Sequence, residues 1–354
     1  MIRAGLETLY LTGAHLAFGG RLGGIGAILT LHHVRPPRTR AFQPNRLLEV
    51  TPEFLDEVLT WLRAADIDIV SLDDMHARLI AAATPAAVPQ RTAVRRFVCV
   101  TFDDGYRDTL RFAYPILKKH RAPFAVYIPT SFPDRRGELW WLALEAIVAD
   151  NDFVALDMDG KERRFDCTTA EAKRQAFASI YWWLRALPSE DELRGVVRGL
   201  AARHQLNLTG LCEELCMGWD ELADLATDPL VTIGAHTVNH VMLKKAPEEM
   251  VAAEMRNCAA AIEAALGVRP GHFSYPVGDR TSAGPREFAI AARLGFKTGV
   301  TTRPGVLFPA HREHLTALPR ISLNGEFQRL RYLRVLLSGT ATALWGSFRR
   351  ADAA

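Results

Sequence analysis

The chain has 354 residues, 49% of them hydrophobic and 23% charged, with a formal net charge of +3 at pH 7. This composition suits a globular protein with a sizeable core, and the small, evenly scattered positive charge excludes nucleic acid or an anionic membrane as a main partner. Five dispersed cysteines exclude a disulfide-dense scaffold, and Cys212 and Cys216, which share a helix face without further soft ligands, read as buried thiols.

Residues 1–26 read as an N-terminal helical segment. Glu7 and Arg21 interrupt its apolar run and no small-residue cleavage site follows, so neither a signal peptide nor a spanning helix is expected, and a cytoplasmic location follows as the expectation. Packing on the fold is the expected role, with peripheral membrane contact as the alternative. Short β-rich runs then alternate with helical patterns: 27–33, 68–71, 97–102, 124–128, 230–235, 272–275, 298–301 and 318–323. Between them, Thr51 caps and Pro52 opens a helix to about Ala65, and 247–266 predicts another. Residues 81–95, rich in Ala, Pro and Thr, read as a connector. From about Gly137 to Met217 the periodicity is helical, without clear strands, and predicts an insert over one barrel rim. Residues 327–354 form a C-terminal amphipathic tail, basic from Arg329 to Arg350, with the same two readings as the N-terminus.

Strand–helix alternation predicts an α/β fold with a parallel sheet. Near-continuous apolar strands such as 97–102 need burial on both faces. About seven units suit a deformed (β/α) barrel over residues 27–326 with the helical insert; an open doubly wound sheet is the second choice.

Two motifs carry the chemistry. Asp103-Asp104-Gly105 ends the strand 97–102 at what would be the active rim of a barrel. One carboxylate there can bind a cation while its neighbour accepts a proton; a simple turn is the competing reading. His236 and His240 follow another apolar strand, and their spacing puts both imidazoles on one face if the chain enters a helical turn. Two histidines and a carboxylate leave a position open, as in catalytic zinc sites.

Thr101-Phe102-Asp103-Asp104-Gly105, the segment Gly234 to His240, and Phe273-Ser274-Tyr275-Pro276-Val277-Gly278 together resemble the polysaccharide deacetylase family, the NodB-homology domains of carbohydrate esterase family four, over roughly 27–323 outside the insert. The resemblance implies removal of N-acetyl groups from a saccharide or polysaccharide, as in chitooligosaccharide deacetylases. It implies Asp103 as general base; Asp104, His236 and His240 as ligands of a divalent metal, most often Zn2+; and the backbone N–H of Val277 as an oxyanion donor. Cyclic-amide hydrolysis and a decayed carbohydrate-binding protein are the alternatives.

The chain departs from the family pattern twice. Ser274 stands where many members carry the arginine that orients the base; Arg320 is a candidate replacement, with a surface salt bridge as the competing reading. The late Leu-x-His motif that supplies the general acid is absent. His32 and His33 end the first strand at the same rim and are candidates, His33 being the one chosen; His311 and His314 are alternatives. Tyr275 and Trp141 are candidate substrate contacts, although packing within the insert is the plainer expectation for Trp140 and Trp141, as core burial is for Trp182, Trp183 and Trp219.

Overall fold

The structure is a computed structural model that describes residues 2–82 and 95–345. The connector is therefore outside the described residues from 83 to 94, as is the tail beyond Trp345. Seven strands form a closed parallel barrel: β1 (Gly26–Leu31), β2 (Phe97–Phe102), β3 (Phe124–Ile128), β4 (Val231–Ala235), β5 (His272–Ser274), β6 (Thr298–Pro304) and β7 (Leu318–Ser322). Each pairs with its neighbours in sequence, and β1 closes the ring against both β2 and β7.

The closure is uneven, which is what deforms the barrel. β1 and β2 align from Gly26↔Phe97 to Leu31↔Phe102, whereas β4 meets β5 only at Ala235↔Phe273. The expected strand at 68–71 pairs only with the base of β2, through Asp68 and Ile69, and stays outside the ring. Every residue of β1 and β2 is buried, because one face fills the lumen and the other packs under helices. Helix Pro52–Ala64 shows how the outer layer is specified. The Thr51 hydroxyl accepts the Phe54 N–H at 3.2 Å, and Phe54, Leu55, Val58, Leu59 and Leu62 turn inward at helical spacing. Burying one such side chain contributes roughly 1.5–3 kcal/mol.

Between β3 and β4, helices Trp140–Asp150, Ala170–Ala186, Glu190–Arg203 and Leu208–Leu215 build a second apolar core. This region also holds an antiparallel hairpin, Phe153–Met158 with Lys161–Asp166, where no strands were expected. Its outer strand, Lys-Glu-Arg-Arg-Phe-Asp, is almost wholly solvated and carries no apolar alternation. The readable signal was the turn, Asp159-Gly160, with both residues at positive φ. Trp182, expected in the core, is 63% exposed instead. Arg185 pins the insert to the barrel rim by donating to Asp279 Oδ2 at 2.8 Å and Thr281 Oγ1 at 2.9 Å. All five cysteines are buried and free, as expected.

His272 opens β5 deep in the structure, its Nδ1 2.8 Å from Thr298 Oγ1, and burial pushes its pKa from 6.5 down to about 4 despite the nearby Asp73. Between those values the unfolded chain takes up a proton that the native state refuses. Stability from this residue is therefore full above pH 6.5 and is lost as pH falls toward 4, by about 3 kcal/mol. Urea denaturation at pH 7 and pH 4.5 should show the drop, and His272→Gln should shrink it.

Candidate active site

The C-terminal rim of the barrel gathers the polar residues. The Asp103 N–H still pairs with Leu31 O at 3.0 Å, after which Asp104 (φ 70°) and Gly105 (φ 61°) turn the chain sharply. The positive φ favours glycine at 105, where a Cβ would also press on the tip of the Ile128 side chain, 2.7 Å away at Cδ1. Strand alternation sends Thr101 and Asp103 into the lumen.

There Asp103 meets Arg320, which is 1% exposed and therefore not part of a surface salt bridge. Arg320 donates to both carboxylate oxygens, Nη1 to Oδ1 at 2.8 Å and Nη2 to Oδ2 at 2.6 Å. Its remaining donors reach Thr301 O at 2.8 Å, Ser274 Oγ at 3.1 Å and Thr101 Oγ1 at 3.3 Å, so all the guanidinium N–H groups are used. Burial alone would raise the Asp103 pKa, but the Arg320 charge and its hydrogen bonds outweigh it and hold the carboxyl below its usual range. Ser274, standing where the family pattern has arginine, leaves room for this guanidinium to arrive from β7.

Asp104, His236 and His240 form a buried triangle whose nearest ligand atoms all lie within 4.8 Å of one another. His236 Nδ1 is 2.6 Å from Ser274 O. A carbonyl can only accept, so Nδ1 carries the proton and the Nε2 lone pair faces Asp104 Oδ1, 3.5 Å away. His240 Nε2 lies 3.2 Å from the same oxygen. That oxygen is buried without a well-formed hydrogen bond. An orphaned carboxylate oxygen between two imidazoles fits a cation, and this nitrogen-and-oxygen donor set suits zinc. Burial opposes ionisation of Asp104, yet His240 and His236 hold its pKa well below the usual range.

The two histidines do not sit on a helical turn, as the sequence suggested. Residues 236–240 form a loop with Thr237 (φ 64°) and His240 (φ 54°) in the left-handed region. Glu254, a residue the sequence reading missed, holds this loop. Its carboxylate accepts Val238 N at 2.8 Å, Asn239 N at 2.9 Å and Asn239 Nδ2 at 2.7 Å. A buried glutamate on the inner face of helix Glu248–Leu266 was the available signal. Val277 lies at φ 62°, so four of the nine non-glycine residues with positive φ among the described residues are at this site. Left-handed backbone at a non-glycine residue costs of order 1–3 kcal/mol and persists only where the surrounding structure holds it.

The other candidates separate cleanly. His32 lines the cleft beside Asp103 and Asp104, but His33 does not. Side chains alternate at the strand end, and His33 is turned away, buried, with Nδ1 2.7 Å from Asp108 Oδ2 and its ring stacked on Tyr106 at 3.6 Å. Burial lowers the pKa of His32, with Asp103 and Asp104 pulling it back up. Tyr275 is wholly buried and donates to Thr316 O at 2.7 Å, which makes it core rather than a substrate contact. Val277 and Trp141 both line the cleft, Trp141 with its ring 4.8 Å from that of His240. Trp140 and Trp141 are nearly buried as well, so they pack the insert and wall the cleft together. His311 is buried, with Nδ1 accepting the Phe308 N–H, and His314 is exposed; neither lines the cleft.

The cleft holds about 560 Å³, within the usual range for a small-ligand site. One wall is the charged barrel rim, and the other is aromatic, built by Phe177, Tyr181 and Trp182 of the insert with Trp140 and Trp141. A paired carboxylate, a cation-ready triangle and a histidine around one space can activate water and protonate a leaving group.

A family model described as polysaccharide deacetylase matches residues 182–299, roughly a third of the chain that includes both histidines. No curated protein sequence matches the chain. Among solved structures it is similar to the Streptococcus pyogenes deacetylase PplD in complex with acetate, at TM-score 0.57 and 19% identity over 88% of this chain and 97% of that one. It is similar to IcaB from Ammonifex degensii, at TM-score 0.52 and 18% identity over 89% and 97%. A de-N-acetylase from Aggregatibacter actinomycetemcomitans gives TM-score 0.53 and 13% identity over 88% and 99%. These likenesses show the shared fold, and the polysaccharide deacetylase model matches the stretch from 182 to 299 that carries both histidines of the triangle.

Proposed function

We propose that the protein is a metal-dependent hydrolase that removes N-acetyl groups from a saccharide or polysaccharide. The observation that carries this reading is the buried Asp103–Arg320 pair set beside the Asp104–His236–His240 triangle on one barrel rim. In this reading Asp104, His236 and His240 hold a divalent cation, most readily Zn2+. When bound, such a cation polarises an amide carbonyl and favours attack by water at neutral pH.

Asp103 takes the proton from the attacking water. Arg320 fixes its two oxygens and keeps it ionised, so it is ready to accept. His32 delivers a proton to the departing nitrogen, and its lowered pKa makes it the stronger donor once protonated. The Val277 N–H is the candidate donor to the developing oxyanion; the residue's place in the cleft and its strained backbone support that role. Trp141 and the aromatic wall offer faces to a sugar ring. Acetate and a free amino sugar are the products.

An intact base and three intact ligand positions count against a decayed binding protein. Acetate release from N-acetylglucosamine oligomers and other N-acetylated glycans, followed beside ring opening of a cyclic amide, tests the reaction type. Acetate and free amine appearing one for one is expected; ring opening without acetate release from any glycan would overturn the reading.

A further inference from the structure

The terminal helices bury a small apolar cluster among themselves and leave several other large apolar side chains exposed. Helices Ile2–Leu11 and Ala14–Leu22 pack with Leu330–Leu337 and Thr340–Trp345 around Leu6, Tyr332, Val335 and Ala341. Yet Ile2, Leu11, Leu16, Phe18, Leu344 and Trp345 are 48–78% exposed. They are six of the thirteen large exposed hydrophobics among the described residues, carried on less than a tenth of those residues. Scattered exposed apolar residues need no explanation, but a cluster does.

The charge on these helices is mostly positive. Between residues 2 and 21 the exposed charges are Arg3 and Arg21. Glu7, the one acid there, is half-buried against Arg331, at 2.5 Å, and the Tyr332 hydroxyl. Over the described residues of 2–22 and 329–345 there are five arginines to that one glutamate. None of the four helices is long and apolar enough to cross a membrane. A second copy of the same face would bring mostly arginine against arginine, with Glu326 beside Phe327 as the exposed acid near it.

We propose that this face docks on an anionic lipid surface, its apolar side chains entering the headgroup boundary and its arginines meeting lipid phosphates. A groove of about 480 Å³ runs from Leu22 and Trp345 past Val306 and Phe308, and shares Asp279 and Thr302 with the catalytic cleft. Docking therefore sets the cleft mouth beside the lipid surface, where a membrane-presented saccharide would reach it.

The test is co-sedimentation of the full chain with vesicles of phosphatidylcholine alone and of phosphatidylcholine with about one third phosphatidylglycerol. Binding at least tenfold tighter to the anionic vesicles, and weakened by salt, is expected. Leu16→Glu/Phe18→Glu should lose that binding while keeping its melting temperature, because both side chains are exposed, and while keeping activity on a soluble substrate. No preference for anionic vesicles, or undiminished binding by the double variant, would overturn the proposal. So would a dimer in light scattering that the double variant dissociates without any vesicle binding, which would make a second copy the occupant.

Discussion

Asp103→Asn is expected to lower kcat by about 10²–10⁴-fold, the usual contribution of a positioned general base. It should also destabilise the fold by about 3–5 kcal/mol, because the wholly buried Arg320 keeps its charge but loses its ionised partner. The two losses separate in the double variant Asp103→Asn/Arg320→Met. An apolar side chain of similar length removes the stranded charge, so stability should recover in part while turnover stays lost. Acetate release and urea denaturation on the three proteins give both readings. Normal turnover by Asp103→Asn would remove the base from the account.

His32→Gln should reduce kcat by about 10²–10⁴-fold with little change in stability, as befits a cleft-lining proton donor. The loss should shrink for an N-acetyl group on a weakly basic amine, since such a nitrogen departs with less need of a proton. A merely structural histidine would show no such dependence on the leaving group. His33→Gln gives the contrast. That ring is sealed against Asp108 and Tyr106, so its replacement should cost about 1–3 kcal/mol of stability and little turnover.

The strand ends were legible in sequence because a parallel barrel advertises itself. Apolar runs such as Phe97 to Phe102 need burial on both faces, and Asp103-Asp104-Gly105 at the end of one falls on the functional rim. Arg320 as the partner of Asp103 could be suspected from the missing arginine at Ser274. Its burial and two-pronged grip could not, because they depend on how far β7 projects into the lumen. The choice between His32 and His33 turned on one step of strand alternation beyond Leu31, where pairing ends and the phase is not fixed by pattern. The same parity put Ser274 in the lumen and Tyr275 in the core. Glu254 was hidden for a different reason. It touches no candidate residue's side chain and holds His236 and His240 only through the backbone between them, a link that sequence spacing does not encode. The hairpin was missed because its solvated strand has no apolar period, although its Asp-Gly turn was in plain view.

The central claim is that Asp104, His236 and His240 hold one divalent ion without which the N-acetyl group is not cleaved. It is tested by stripping the protein with a chelator and titrating Zn2+ back while following bound metal and acetate release together. One tight equivalent per chain is expected, with activity rising in step, and with both lost in His236→Ala. Full acetate release by the stripped protein, or an unchanged tight equivalent in His236→Ala, would contradict the account.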